Sequence, residues 1–227
     1  MTANRILNWD GCNNVRDLGG FSVANGIKTR WGAVVRGDHP AKLTAEGWSA
    51  LYEHGVRTII SLHTYGLDET DYLNVVPQRS DIETVKVEIE DFTDSVFVEK
   101  WVNTDLWCTP LYYRDALTRW PQRHAEALKA IAQAKPGGVL FHCKRGYDRT
   151  GIIAFLVLTL AGVSPDDIIS DYELSVDLIR DELLAGQNTT TRAAILSTLE
   201  SLNVEDTLRE GGLSQADLDA LRARFLA

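Results

Sequence analysis

The chain has 227 residues, 44% of them hydrophobic and 24% charged, ordinary proportions for a globular protein long enough to bury a core without disulfide or metal staples. A formal net charge of −9 argues against nucleic acid or an anionic membrane as a general partner. The three cysteines, Cys12, Cys108 and Cys143, are odd in number and far apart, so they form neither a disulfide framework nor a zinc pattern, and a reducing, cytoplasmic compartment is the simplest expectation.

In chain order, the N-terminus MTANRILNWDGCNN is polar and lacks the apolar stretch of a signal peptide. Asn14 to Gly20 has turn chemistry in Asp17 and Gly19-Gly20, and there Arg16 and Asp17 read as a turn with an exposed ion pair. Asn25-Gly26 between Phe21-Ser22-Val23 and Ile27-Lys28-Thr29 predicts a hairpin with a primed turn. Strands are expected at Gly32–Arg36, Val56–Leu62, Thr84–Ile89 and Gly138–His142, the last with a continuous apolar run suited to a strand covered on both faces. Thr44 can cap a helix that carries Trp48, Leu51 and Tyr52 on one stripe and ends at Gly55. The stretch from Asp91 to Pro121 has no single period and reads as a lid or insert whose shape the sequence leaves open. Pro121 opens a helix through Ala127, Leu128 and Ile131. Thr150 to Ala161 is apolar almost all round and should be buried, while Gly151–Val163, the longest apolar stretch, is too short to span a bilayer. Ser164-Pro165-Asp166-Asp167 is a helix start, and further helices are expected around Ser175–Ala185, Thr190–Leu202 and Ser214–Phe225. The order predicts one domain over residues 1–227, of α/β class, with a central sheet flanked by helices and a helical C-terminal part.

The chemistry concentrates in HCKRGYDRTG, residues 142–151. Here a strand runs through a tight loop into a buried helix. Successive backbone N–H groups in such a loop, with the unpaired donors and positive dipole end of the helix, form an anion cradle. Arg149 can hold a tetrahedral oxyanion bidentately, Gly146 lets the backbone approach it, and Lys144 and Arg145 add positive charge at the rim. The same field favours thiolate over thiol at Cys143. One loop can therefore bind a phosphate and attack its phosphorus, giving a cysteinyl-phosphate that water hydrolyses, and the reading calls for no metal or cofactor.

The C-x5-R loop followed by Thr150 and Gly151 resembles the protein tyrosine phosphatase superfamily. With NNVRDLGGF (13–21), VVRGDHPAKLT (34–44) and DYELS (171–175), the chain is similar to the bacterial tyrosine and lipid phosphatases with a KDRTG-type loop, from about residue 13 to about 180. The resemblance implies a mostly parallel, tyrosine phosphatase-like sheet. It implies Cys143 as nucleophile, a phosphate site of Lys144, Arg145, Gly146, Tyr147, Arg149, Thr150 and Gly151, a Thr150 hydroxyl that steadies the leaving thiolate, and a His142 that orients the loop. It also implies a clamp beside the site at Arg16 and Asp17; Arg36 and Asp38 are either pocket lining or plain strand-end residues. A leaving alkoxide or phenoxide needs a proton. Asp148, favoured by the resemblance, and Asp91, with Asp94 nearby, both fit that role. The chain departs from the group where Tyr147 replaces a lysine, His63 an arginine and Gly37 a serine, which puts substrate preference in question. The expected activity is a phosphomonoesterase, first of phosphotyrosine proteins, with dual specificity or phosphoinositides as the open alternatives. A phosphate-binding module without turnover and a rhodanese-like sulfur transferase are the competing classes; an intact Cys143 and Arg149 weigh against the first, and the C-x5-R-T-G pattern against the second.

Overall fold

The structure, a computed structural model, describes residues 5–67 and 79–227; the first four residues of the polar N-terminus lie outside it. Among the described residues, five strands form one sheet in the order β1-β2-β5-β3-β4. They are β1 (Arg16–Asp17), β2 (Val34–Gly37), β3 (Val56–Tyr65), β4 (Glu83–Asp91) and β5 (Gly138–His142). Only β1 runs antiparallel to its neighbour; the other pairings are parallel. The strands β2 to β5 overlap the predicted ones; β3 and β4 each run three residues longer, and β2 starts two residues later and ends one residue later. The two-residue β1 is too short to show a period, and its residues read as part of a turn in the sequence.

Period-2 alternation feeds two cores, one on each face. Val34, Ile60, Val139 and Phe141 join the larger helical core, whereas Val35, Ile59, Leu140 and Val56 pack with Trp9, Trp48 and Leu51. The run Val139-Leu140-Phe141 is apolar throughout because its residues alternate between these cores.

The helices are α1 (Ala45–Glu53), α2 (Ser95–Phe97), α3 (Tyr113–Arg119), α4 (Pro121–Gln133), α5 (Asp148–Ala161), α6 (Pro165–Glu173), α7 (Leu178–Gly186), α8 (Thr191–Ser201), α9 (Val204–Glu210) and α10 (Gln215–Phe225). Their starts follow from capping: Thr44, Ser164 and Thr190 each accept from a first-turn N–H, and Ser214 forms a capping box with Asp217. Seven residues were too few for α9 to show a helical period, although Asn203 caps it. The Asn25-Gly26 turn has positive φ at both residues, 61° and 76°, as a primed turn needs, with a single bridge, Ser22 to Lys28, beyond it. The Asp91–Pro121 stretch contains α2, a five-residue π-helical turn at Val98–Val102, two short 3-10 turns and α3. Phe97, Trp101, Tyr112 and Tyr113 anchor it in the larger core. No helix among the described residues is long and apolar enough to cross a membrane.

Candidate active site

The sheet's middle strand, β5, ends at His142, and Cys143 follows at the carboxyl edge, where ligands of open α/β sheets bind. The loop from Cys143 leads directly into α5, which begins at Asp148, two residues before the expected start. From Ile152 to Leu158 α5 is buried all round, so it cannot tilt without disrupting the core. Its unpaired first-turn donors therefore point at the loop from a fixed position.

The loop is gripped from behind. The Asn14 side-chain amide donates to the carbonyls of Arg145 (3.1 Å) and Gly146 (3.0 Å), and Arg36 donates to Gly146 (2.9 Å). Carbonyls held on that side leave the peptide N–H groups for the concave side. Gly146 has φ +73°, and a Cβ there would lie 2.7 Å from the Gly37 carbonyl, so no side chain fits. Arg36 and Arg16 both bind Asp171 of α6, at 2.6 and 2.9 Å. Burial pushes the Asp171 carboxyl up, but Arg36 and Arg16 outweigh it and hold it below the ordinary range.

The predicted exposed pair of Arg16 and Asp17 is corrected here: both are buried, and they face different partners. Asp17 accepts from the N–H groups of Gly19 and Gly32 and meets His54 at 2.7 Å, while Arg16 reaches Asp171, Ser175 and Asn14. Asp38 accepts from the N–H groups of Asn13 and Asn14 and pairs with Lys42, a strand-end role.

Cys143 is 6% exposed. His142 Nδ1 donates to the Cys143 carbonyl at 3.2 Å, and its ring packs edge-on against His39. Burial, with the nearby His39, pushes His142 down to about 3, so it is a neutral imidazole at physiological pH. His63, where the resembled group has arginine, is buried in β3 and meets Ser61 at 2.9 Å. Arg149 is buried in the first turn of α5 and donates to the Leu62 carbonyl at 3.3 Å. Thr150 reaches the Gly37 carbonyl at 3.5 Å. Gly151 leaves room for Tyr113, whose hydroxyl donates to the Asp148 carbonyl at 3.2 Å; a Cβ would lie 2.4 Å from that oxygen.

Lys144 and Arg145 are exposed. Arg145 is engaged by acids at the rim, Asp177 at 3.3 Å and Asp148 at 3.7 Å, and its Nη2 approaches Cys108 Sγ at 3.9 Å. Tyr147 donates its hydroxyl to the Val176 carbonyl at 3.0 Å and so ties the loop to the α6–α7 connection. Of the two acid candidates, Asp148 is buried against this loop. Burial pushes it up to about 6, partly opposed by Arg145 and Arg149. Asp91 pairs with Arg123 at 3.0 Å and caps the turn at Thr93, and Asp94 caps α2 and pairs with Arg119 at 2.8 Å.

Two further residues reach the site without a signal in the sequence. The alternation of Val85 to Glu90 would place Glu90 on the outer face with Lys86 and Glu88. A register shift against His63/Thr64 breaks that alternation, and Glu90 is fully buried. It accepts from Thr64 Oγ1 (2.8 Å) and Trp107 Nε1 (3.1 Å). Burial pushes its carboxyl up, against the opposing charge of Arg149. The Trp107 ring in turn lies 5.7 Å from the Arg149 guanidinium carbon. Among the described residues, no cluster of three or more His, Cys, Asp or Glu side chains is arranged to hold a metal ion.

A family model described as "Tyrosine phosphatase family" matches residues 7–227. A protein of Cupriavidus necator that carries a provisional tyrosine-protein phosphatase name is 28% identical over 168 residues, 73% of this chain and 61% of that protein. A tyrosine-protein phosphatase of Nostoc commune is 44% identical over 57 residues, 25% of this chain and 19% of that protein. The match to the Cupriavidus protein thus spans about three fifths of its length.

Proposed function

The chain belongs to the tyrosine phosphatase family, and from that premise we propose that it is a cysteine-dependent phosphomonoester hydrolase acting on phosphotyrosine in proteins. The observation that carries the reading is one short segment: Cys143 at the carboxyl end of the middle strand, followed by a clamped loop and by Arg149 in the first turn of a buried helix.

The Cys143 thiolate attacks phosphorus, and the bond from phosphorus to the ester oxygen breaks. Loop N–H groups and Arg149 hold the phosphoryl oxygens and take up charge in the transition state. Asp148 gives its proton to the leaving oxygen; a carboxyl pushed up to about 6 is still partly protonated near neutral pH. Water then attacks the cysteinyl-phosphate, with Asp148 as base, and releases phosphate and the thiolate. His142, neutral and bonded to the backbone, orients the loop. Thr150 steadies the thiolate, and Lys144, Gly146, Tyr147 and Gly151 complete the loop. Arg145 acts at the rim through Asp148 and Asp177 and helps set the acid. Free cysteines fit a reducing compartment such as the cytoplasm. Dual specificity and phosphoinositide hydrolysis form the second reading, supported by exposed Lys144 and Arg145 within the loop.

Hydrolysis of p-nitrophenyl phosphate by the wild type and by Cys143→Ser tests the reading. Turnover should fall by several orders of magnitude in the variant while inorganic phosphate still binds. Turnover that survives the substitution rejects Cys143 as nucleophile; a wild type that binds phosphate without turnover is a binding module.

A further inference from the structure

The turn Leu106–Cys108 lies across the phosphate loop. Trp107 packs against Arg149, and the next residue, Cys108, meets Arg145. Adjacent residues of one turn thus touch side chains from both halves of the loop. The turn is built rather than loose. Asp105, which leads into it, takes φ +60°, a left-handed conformation that costs a non-glycine residue about 1 kcal/mol or more. The Trp107 indole N–H is held by a carboxylate that a strand irregularity turns inward, and its ring packs edge-on against Phe92, centroids 5.0 Å apart. Burying Glu90 would cost several kcal/mol if it were unpaired; its hydrogen bonds to Thr64 and Trp107 offset that cost and hold the indole in place. Trp107 nevertheless stays half-buried. Its ring is therefore fixed in orientation and still accessible beside the arginine expected to grip the phosphate.

We propose that Trp107, anchored by Glu90 and Thr64, is the specificity wall of the site and stacks on the aryl ring of an aryl phosphate such as a phosphotyrosine side chain. This rests on the phosphatase reading and deepens it. A phosphate held by Arg149 would lie beside this ring, which puts the group esterified to it within reach of the indole. A flat aromatic ring gains a stacking contact there that a glycerol or inositol unit, studded with hydroxyls, does not match.

The test is competitive inhibition of p-nitrophenyl phosphate turnover by phenylphosphonate, myo-inositol 1-phosphate and inorganic phosphate. Trp107→Ala should raise the Ki of phenylphosphonate by more than twofold and up to about 12-fold, the range of one aromatic stacking contact, and change the other two less than about twofold. Trp107→Phe keeps a ring and should retain most of the phenylphosphonate affinity. Glu90→Ala frees the indole and should reproduce the selective loss. Equal weakening of all three inhibitors by Trp107→Ala would make Trp107 only a support for Arg149 and overturn the proposal. So would a Trp107→Phe variant as weak for phenylphosphonate as Trp107→Ala, or a Glu90→Ala variant with unchanged Ki. A wild type that neither turns over substrate nor binds phosphate removes the phosphatase reading itself and this inference with it, a result distinct from the pattern among variants.

Discussion

At position 148 a carboxylate occupies the first turn of α5 beside two arginines, a setting that favours its ionised form, yet burial pushes it up to about 6. Two consequences follow at this residue. As a general acid, Asp148 works only when protonated, so kcat/KM should fall as pH rises past about 6. Asp148→Asn should abolish that limb and slow phenyl phosphate far more than p-nitrophenyl phosphate, whose leaving group needs no proton; equal losses would mean a structural role only. The second consequence is for stability. A carboxyl raised in the folded state stabilises the fold below its ordinary value of 3.8, and that contribution is lost as pH rises through about 6. Above that pH the buried charge costs at most about 3 kcal/mol, the free-energy equivalent of this shift. Asp148→Asn should therefore unfold at higher denaturant than wild type at pH 8, and the gap should shrink at pH 4.

The loop from Cys143 to Arg149 is one element, held by others distant in the chain. Arg16 of β1 and Arg36 of β2 meet on Asp171 of α6, and Arg36 passes the constraint on to the Gly146 carbonyl. Removing one partner from such a buried set leaves uncompensated charge and costs about 3–5 kcal/mol. Asp171→Ala should lose that much in urea unfolding. Because Arg36 then loses its counter-charge, the phosphate Ki should also rise in protein that remains folded. Unchanged phosphate binding would show that the loop keeps its shape without the clamp. Tyr147 works at the same scale, with its hydroxyl on Val176, where a lysine would instead add charge. The β4 irregularity likewise decides which way one side chain faces, and so puts Glu90 inside.

Across the whole molecule the larger core runs without a break from β2, β3 and β5 through the Asp91–Pro121 stretch to α8, α9 and α10. We propose that these parts fold as a single domain, and calorimetry should then give one transition with equal calorimetric and van't Hoff enthalpies. Leu218→Ala in α10, fully buried, should lower stability by about 2–5 kcal/mol without splitting that transition; a second transition would separate the helical C-terminal part. What could be read from the sequence was local. The four main strands, the helices of nine or more residues and the loop from Cys143 to Arg149 each carry their signal within a dozen residues, in alternation, capping chemistry or fixed spacing. Even the burial of α5 was legible, because it is apolar on every side. The surroundings of the loop were not. Read from their neighbours alone, Arg16 and Asp17 form an exposed turn, and only the resemblance implied a clamp there; Glu90 falls in phase with solvent-facing neighbours. Asn14, Trp107 and Asp171 carry no local pattern that ties them to Cys143. The sequence by itself determined the Cys143–Arg149 loop and the strand–loop–helix that presents it, since backbone dihedrals and neighbouring residues suffice to build it. Only the tertiary structure decided what holds that loop and what stands beside it. Those partners come from segments up to 161 residues apart, and only burying two cores against one sheet brings them together.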